Sequence, residues 1–420
     1  MSEFRPQSGR SQRIVVLGGG FAGLWSALGA ARKLAELGIG PDSVTVTLVD
    51  RSAFHSIRVR NYEAELGDTR IPLDEILRPA GVVRVGAEVG DIDWAQRRVL
   101  LSDGMPPLDY DRLVFALGSC LARPPIPGLE AFAFDVDTYD GGARLNAHIA
   151  ALPARKPSPG QWTALVIGGG LTGIEAACEM PGKLRAALQG AAATPRVIIA
   201  DRQPWIGSDM GEQARAVIDE ALAALAIEQR PGISVTAIDK GGANLSSGER
   251  IDAATIIWCG GMQAHPLTRR FPVERDGFGR VPVDEFLKIK GMVAEFAAGD
   301  VAWFAIDGNR SCVMSCQHGR PMGRFAGHNV VCDLLGLPML PLRIDWYTTI
   351  LDLGPWGAVC TAGWDRHVAT RGADAKRTKV MINRERIYPP RTGDRREIFA
   401  AASPIVQAPP AFFRAGVPNR

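Results

Sequence analysis

The sequence lacks three features that would narrow its function at once. Its seven cysteines include no C-x-x-C pair, so neither a redox dithiol nor a metal site is predicted, and a reduced compartment is favoured. Its net charge is only +3, so nothing in the overall balance points to nucleic acid as a partner. It also has no apolar run of about 18 residues or more, so no membrane-spanning helix is expected.

The remaining bulk properties are those of a globular protein. The chain has 420 residues, of which 46% are hydrophobic, enough for two or three domains with ample core. The opening segment, MSEFRPQSGRSQR, is polar and basic without an apolar centre, so it is not predicted to be a secretory signal. These properties favour a cytoplasmic location.

One design occurs twice in the chain. Residues 13–28, RIVVLGGGFAGLWSAL, and residues 163–178, TALVIGGGLTGIEAAC, each run from an apolar strand through a glycine cluster into a helix. Further apolar strands follow at residues 43–50, 112–119, 196–201 and 253–261. Strands alternating with helices are typical of doubly wound parallel sheets. The sequence therefore predicts an α/β protein with two Rossmann-like dinucleotide-binding domains.

Each glycine cluster has the G-x-G-x-x-G spacing. In the first, formed by Gly18, Gly20 and Gly23, the glycines permit a tight turn, a close approach to a pyrophosphate, and close helix–strand packing. The helix that follows supplies partial positive charge at its N-terminus. Asp50 ends the next strand, where its carboxylate can accept ribose hydroxyl groups.

The second cluster repeats these elements. Its glycines are Gly168, Gly170 and Gly173, and Asp201 ends the matching strand. The carboxylate of Asp201 suits an unphosphorylated 2′-hydroxyl, whereas the adjacent Arg202 could accept a 2′-phosphate. The pattern favours NADH and leaves NADPH open.

Five segments in fixed order carry a family resemblance: VVLGGGFAGL, FALGS, VIGGGLTGIEAACE, WCGG and FAAGD. The chain resembles the two-dinucleotide flavoproteins of the pyridine nucleotide–disulfide oxidoreductase superfamily. The resemblance implies that the first loop holds FAD and the second NAD(P)H. It also implies positions for three further groups of residues. Gly299 and Asp300 would contact the FAD, and Ala116, Leu117 and Gly118 would lie at the domain crossing beside the flavin. Gly260, Gly261 and Glu175 would lie beside the nicotinamide.

Within that superfamily the chain is most similar to type II NADH dehydrogenases. RNYEAELG (residues 60–67) and SCQHG (residues 315–319) resemble segments of those enzymes. Gln317 matches a family glutamine near the quinone, whereas Cys316 and His318 depart from the pattern, and a second family glutamine falls at Val313. The resemblance implies a quinone or quinone-like small molecule as electron acceptor, with Glu175, Gln317 and His318 as candidate catalytic residues.

Alternatives remain at the acceptor side. His318 could donate a proton, or be a helix histidine bonded to backbone or phosphate. The superfamily's redox cysteine pair is missing from residues 55–67. Cys312 and Cys316 would share one face of a helix, and Cys120 could lie near the flavin. Those thiols keep a sulfide:quinone-type activity open, and a flavin-binding structural or sensor protein is the other alternative.

The predicted domain limits follow from composition. The Pro- and Ser-rich stretch at residues 153–161 suggests a crossing between domains. We therefore expect an FAD domain over 1–152 and 286–340, an NAD(P)H domain over 153–285, and an α+β region over 341–420. Six basic residues between 376 and 391 suggest a solvated face or peripheral contact with anionic lipid. A homodimer is also considered.

Overall fold

The computed structural model describes residues 11–102, 104–190, 193–308 and 310–416. Over these ranges the chain forms short strands and ten α-helices. The strands are β1 (Gln12–Leu17), β2 (Val44–Val49), β3 (Phe54–Ser56), β4 (Arg70–Pro72), β5 (Val83–Val85), β6 (Val89–Asp93), β7 (Arg98–Leu101), β8 (Leu108–Asp109), β9 (Arg112–Phe115), β10 (Ser119–Leu121), β11 (Thr163–Ile167), β12 (Arg196–Asp201), β13 (Ile227–Pro231), β14 (Val235–Asp239), β15 (Gly242–Leu245), β16 (Arg250–Asp252), β17 (Thr255–Trp258), β18 (Met262–Ala264), β19 (Val281–Pro282), β20 (Glu295–Ala297), β21 (Ala302–Trp303), β22 (Thr348–Asp352), β23 (Ala358–Ala362) and β24 (His367–Gly372).

The helices are α1 (Phe21–Glu36), α2 (Leu73–Ala80), α3 (Leu129–Phe132), α4 (Tyr139–Ala151), α5 (Leu171–Leu188), α6 (Glu212–Ala224), α7 (Cys316–Leu335), α8 (Ala373–Met381), α9 (Arg395–Ala401) and α10 (Ala411–Gly416). A π-helical turn, Ile382–Arg386, continues α8. In the described part of the chain, no helix is both long enough and apolar enough to cross a bilayer.

Two parallel sheets form the framework. The first has the strand order β20-β9-β1-β2-β5 and the second β13-β12-β11-β17. The chain leaves the first sheet after β9, builds the second sheet, and returns to the first with β20. This topology confirms the predicted fold class, in which one Rossmann-like unit is inserted into another.

The central strands of both sheets are apolar on both faces because helices cover each side. Strand β11 is buried along its whole length, and β1 is buried from Ile14 to Leu17. Within the predicted C-terminal range lies an antiparallel sheet, β22-β23-β24, packed against α8. This sheet also contacts α5 and α6, so it rests on the second Rossmann-like unit.

Helices α1 and α7 pack side by side at very short range. A side chain at Gly323 would overlap the carbonyl oxygen of Ala22, and one at Gly327 would overlap that of Ser26. Glycine at these positions lets the two backbones touch. The N-terminal ends of α1 and α7 are therefore brought together at one edge of the first sheet.

Candidate active site

The first glycine loop is shaped by contacts that exclude side chains. Gly18 has φ +100°, which L-residues rarely adopt, and a Cβ there would overlap the carbonyl of Ala116. A Cβ at Gly23 would overlap the carbonyl oxygen of Gly18, so only glycine lets α1 pack against its own loop. A Cβ at Gly20 would meet nothing within 4 Å. Open space thus lies where α1 begins.

Asp50 braces this loop from the end of β2. Its Oδ2 accepts the N–H of Gly19 and its Oδ1 accepts the N–H of Ser52, the latter at 2.6 Å. Burial raises the pKa of Asp50, and those two N–H groups oppose the rise. The buried His55 donates from Nδ1 to the Gly19 carbonyl oxygen at 2.8 Å. Both side chains hold the backbone of the loop in position.

Asp300 lies where the two helix ends meet. The backbone at Gly299 has φ +78°, and a Cβ there would lie 2.6 Å from Cβ of Ala22 in the first turn of α1. The Asp300 carboxylate accepts a 2.6 Å hydrogen bond from Ser119 Oγ. Gly319 in the first turn of α7 is also adjacent to Gly299. A dinucleotide with a phosphate at Gly20 fits this cradle, because open space faces a helix N-terminus that no side chain caps.

The second loop repeats the contacts of the first at its first and third glycines. Gly168 has φ +111° and faces the carbonyl of Cys259, while a Cβ at Gly173 would overlap the carbonyl oxygen of Gly168. At Gly170 the nearest atom to a Cβ would be a carboxylate oxygen of Asp209, at 3.6 Å. The start of α5 is therefore less open than the start of α1, because this carboxylate lies beside it.

Asp201 supports the second loop as Asp50 supports the first. Its Oδ2 accepts the N–H of Gly169, and its Oδ1 accepts the N–H of Gln203 at 2.7 Å. The neighbouring Arg202 is exposed. The two carboxylates thus occupy equivalent positions in two separate dinucleotide cradles.

The segment after Gly118, predicted at the domain crossing, pairs with the segment after Gly261, predicted beside the nicotinamide. Strand β10 follows Gly118 directly and pairs antiparallel with β18, which follows Gly261. The carbonyl of Gly118 accepts the N–H of His265 at 2.9 Å, and Ala122 donates its N–H to the carbonyl of Gly261 at the same distance. The structure therefore brings the two crossings together as one ribbon between the Rossmann-like units.

Glu175 has a buried partner that the sequence did not indicate. Its Oε1 accepts 2.6 Å and 3.0 Å bonds from Lys379 Nζ and the N–H of Asp352. Each charged side chain is only 8% exposed. Burial raises the pKa of Glu175, and the facing Lys379 opposes that rise. Burial lowers the pKa of Lys379, but its carboxylate partners more than offset this and raise it.

The prediction that the basic run at residues 376–391 forms a solvated face is wrong for Lys379. Although several of its members are exposed, this lysine points into the protein from α8 and also donates to the carbonyl of Ile350 at 3.0 Å. Lys376, one turn earlier, pairs with Asp352. Lys379 therefore attaches the C-terminal region to the helix of the second loop, whereas the pair of Lys376 lies within that region.

The N-terminal turn of α7 carries the two remaining catalytic candidates. Gln317 donates to the carbonyl of Trp346 at 3.4 Å. His318 is fully buried, and its Nδ1 accepts the N–H of Val313 at 2.9 Å. Burial, with the charge of Arg280, lowers the pKa of His318 to about 4. The ring is therefore neutral near pH 7, and its proton is on Nε2.

Cys312 and Cys316 do not share one face of a helix, contrary to the prediction. Helix α7 begins at Cys316, and Cys312 lies outside it, with its thiol donating to the carbonyl of Ala302 at 3.3 Å. All seven cysteines are free. Burial raises the pKa of Cys120, Cys312 and Cys316, so none is an activated thiolate.

Fold and site together define a class of protein: two dinucleotide cradles, each with a glycine loop, a helix N-terminus and a bracing carboxylate, joined by a paired ribbon. Comparison with known families then identifies the particular one. The family model described as pyridine nucleotide-disulphide oxidoreductase matches residues 12–323, and the chain belongs to this family. The prediction of an oxidoreductase that uses FAD and a pyridine nucleotide is confirmed.

Several relatives are similar over most of their length. An NADH dehydrogenase-like protein of Mycobacterium tuberculosis (strain CDC 1551 / Oshkosh) is 54% identical, covering 95% of this chain and 100% of the relative. The type II NADH:quinone oxidoreductase NdhA of M. tuberculosis (strain ATCC 25618 / H37Rv) is 29% identical, covering 74% and 72%. The structure of NDH2 from Plasmodium falciparum in complex with NADH matches with a TM-score of 0.76 at 14% identity, covering 94% and 98%, and shows the shared fold.

Proposed function

We propose that this protein takes a hydride from NADH and passes the electrons to a quinone or quinone-like small molecule. The observation that carries the proposal is the pair of equivalent glycine loops in two sheets, linked by the β10–β18 ribbon. FAD, when bound, supplies the redox chemistry by accepting the hydride and releasing electrons to the acceptor. The predicted domain limits, with FAD at 1–152 and 286–340 and the nicotinamide cofactor at 153–285, belong to this proposal.

Asp201 favours NADH over NADPH. Each of its carboxylate oxygens already accepts one backbone N–H, which holds the negative charge at the end of β12. A ribose 2′-hydroxyl can donate to such a carboxylate, whereas a 2′-phosphate would be repelled by it. Arg202 is exposed and free to meet a 2′-phosphate, so NADPH stays the alternative.

The three catalytic candidates have different proposed roles. Glu175, held by Lys379, fixes the polar wall of the nicotinamide pocket. Gln317, at the start of α7, faces the acceptor side. His318 is neutral and presents an Nε2–H that has no partner among the described residues, so it is suited to donating a hydrogen bond rather than to carrying a positive charge.

The choice of acceptor rests on the relatives. NdhA is named a quinone oxidoreductase, and a relative from Synechocystis, 28% identical over 86% of this chain, is named a demethylphylloquinone reductase. A cytoplasmic position with peripheral contact to the membrane, and assembly as a homodimer, remain predictions. Flotation with anionic lipid vesicles and sedimentation equilibrium would test them.

An anaerobic optical titration tests the proposed function. The purified protein should be yellow, NADH should bleach it, and a soluble quinone should restore the colour rapidly. Gly20→Ala should reduce retention of the yellow cofactor, whereas Gly170→Ala should keep it and raise the NADH concentration needed for bleaching. A colourless protein would overturn the proposal, bleaching by sulfide would favour a sulfide:quinone-type enzyme, and bleaching without reoxidation would favour a sensor.

A further inference from the structure

Helix α7 carries two buried arginines on one face. Arg320 and Arg324 are one turn apart and are 6% and 2% exposed. Both guanidinium groups lie over the ring of Trp25 in α1, at 5.4 Å and 4.5 Å from its centroid. Arginine is seldom buried so completely unless an acceptor pairs with it.

The described residues provide almost no acceptor for these two cations. Arg320 donates one bond, to Gln407 Oε1 at 3.0 Å, and its Nε has no partner. The side chain of Arg324 makes no hydrogen bond to any described residue, and its Nε is buried without a partner. No described Asp or Glu forms an ion pair with either side chain. Burial, with the charge of its neighbour in α7, lowers the pKa of Arg324 to about 9.

A third cation, Arg386, and a buried donor, the indole of Trp25, lie close to the two arginines. Arg386, half-buried, donates to the carbonyl of Ala408 in the same C-terminal segment as Gln407, and its charge acts on Arg320. The indole Nε1 of Trp25 is buried without a partner among the described residues. The contact region of α1, α7 and the segment around Gln407 thus carries donors and positive charge.

An unpaired buried charge is strongly unfavourable, and two neighbouring like charges add to the penalty. Such an arrangement persists where a ligand of opposite charge occupies the space between the groups. We propose that these side chains bind a small anion, a carboxylate or a phosphate group, with Arg324 as the principal contact and Arg320 and Arg386 beside it.

The proposed anion site is connected to the acceptor side of the protein. Gln407, which receives the bond from Arg320, accepts the indole N–H of Trp346 through its carbonyl at 3.1 Å. The carbonyl of Trp346 in turn accepts from Gln317. Three hydrogen bonds therefore separate Arg320 from Gln317, the residue proposed to face the acceptor. The site itself requires neither hydride transfer nor a quinone.

Calorimetric titration of the FAD-loaded protein, in chloride buffer, with inorganic phosphate and with succinate tests the site. Wild-type protein should bind at least one of the two anions. Arg324→Met should weaken that binding at least about tenfold, as expected for loss of a charge-assisted bond. Arg324→Lys should weaken it less, because the charge remains without the planar fork. Arg78→Met removes the same charge from a side chain that is 79% exposed and should change nothing.

Thermal melting supplies a second readout with the opposite sign. Without phosphate, Arg324→Met should melt at the same temperature as wild type or higher, because an unpaired buried charge has been removed. The proposal is overturned if neither anion binds wild-type protein, or if Arg324→Met binds the anion as tightly. It is also overturned if Arg324→Met loses FAD where Arg78→Met retains it, since the guanidinium would then be pairing with the cofactor's own phosphate.

Discussion

Replacing Lys379 by methionine should destabilise the protein markedly, because it leaves the Glu175 carboxylate buried without its ion-pair partner. Both side chains are 8% exposed and their charged atoms are 2.6 Å apart. Removing one member of a buried pair costs about 3–5 kcal/mol. With 420 residues and about 2.1 cal/mol/K of unfolding entropy per residue, cooperative unfolding corresponds to about 0.9 kcal/mol/K. The expected fall in melting temperature is therefore about 3–6 °C.

The assay is thermal melting of the FAD-loaded protein near pH 7. Arg377→Met is the matched control, because Arg377 lies on the same helix and its pair with Asp374 is exposed, so its loss should cost at most about 1 kcal/mol. Glu175→Gln combined with Lys379→Met should melt above Lys379→Met alone, since no uncompensated charge is left. Equal, small effects of Lys379→Met and Arg377→Met would refute the reasoning.

Three further predictions follow from the glycine loops, the second carboxylate and the buried histidines. Gly23→Ala should abolish FAD retention, measured by absorbance, because the new Cβ would overlap the loop. Gly182→Ala is the control: it lies in a helix with nothing within 4 Å of the new Cβ, and it should stabilise the protein by up to about 1 kcal/mol in thermal melts. Asp201→Ala should weaken NADH binding in a fluorescence titration and narrow its advantage over NADPH; unchanged NADH affinity would remove the ribose assignment. Burial lowers the pKa of four histidines from 6.5 to about 4, and these are His55, His148, His318 and His328. Unfolding therefore takes up protons between these pH values, so the free energy of unfolding should fall as the pH drops from about 6.5 to about 4. Thermal melts across this range should show a smaller pH dependence for His148→Gln.

The glycine loops were predictable because their requirements are local. The positive φ of Gly18 and the absent side chain at Gly23 follow from a strand turning directly into a helix that packs back on it. The same constraint acts at Gly168 and Gly173, so the repeat in the sequence is a repeat in geometry. The parallel sheets were predictable as well, because strands buried between helices appear in the sequence as short apolar runs that alternate with helical segments.

The partner of Glu175 could not be predicted, because the contact joins residues 204 positions apart. In the sequence, Lys379 is one cation in a basic run, and helical spacing alone does not show which member faces inward. The burial of Lys379 depends on the antiparallel sheet β22-β23-β24, which packs against both α8 and α5. The helix boundary at Cys316 was missed for a similar reason: i,i+4 spacing resembles a helix whether or not the first cysteine lies within it.

Close packing of α1 against α7 connects the cofactor cradle with the proposed anion site. Because Gly323 and Gly327 let the backbones touch, the N-terminus of α7 is held beside Gly299, next to Asp300. The same proximity presses Arg320 and Arg324 onto Trp25 and buries both side chains. Larger residues at the glycine positions would separate the helices and expose the arginines. The packing that assembles one site therefore also creates the unpaired charge of the other, so a ligand at either site stabilises the same pair of helices.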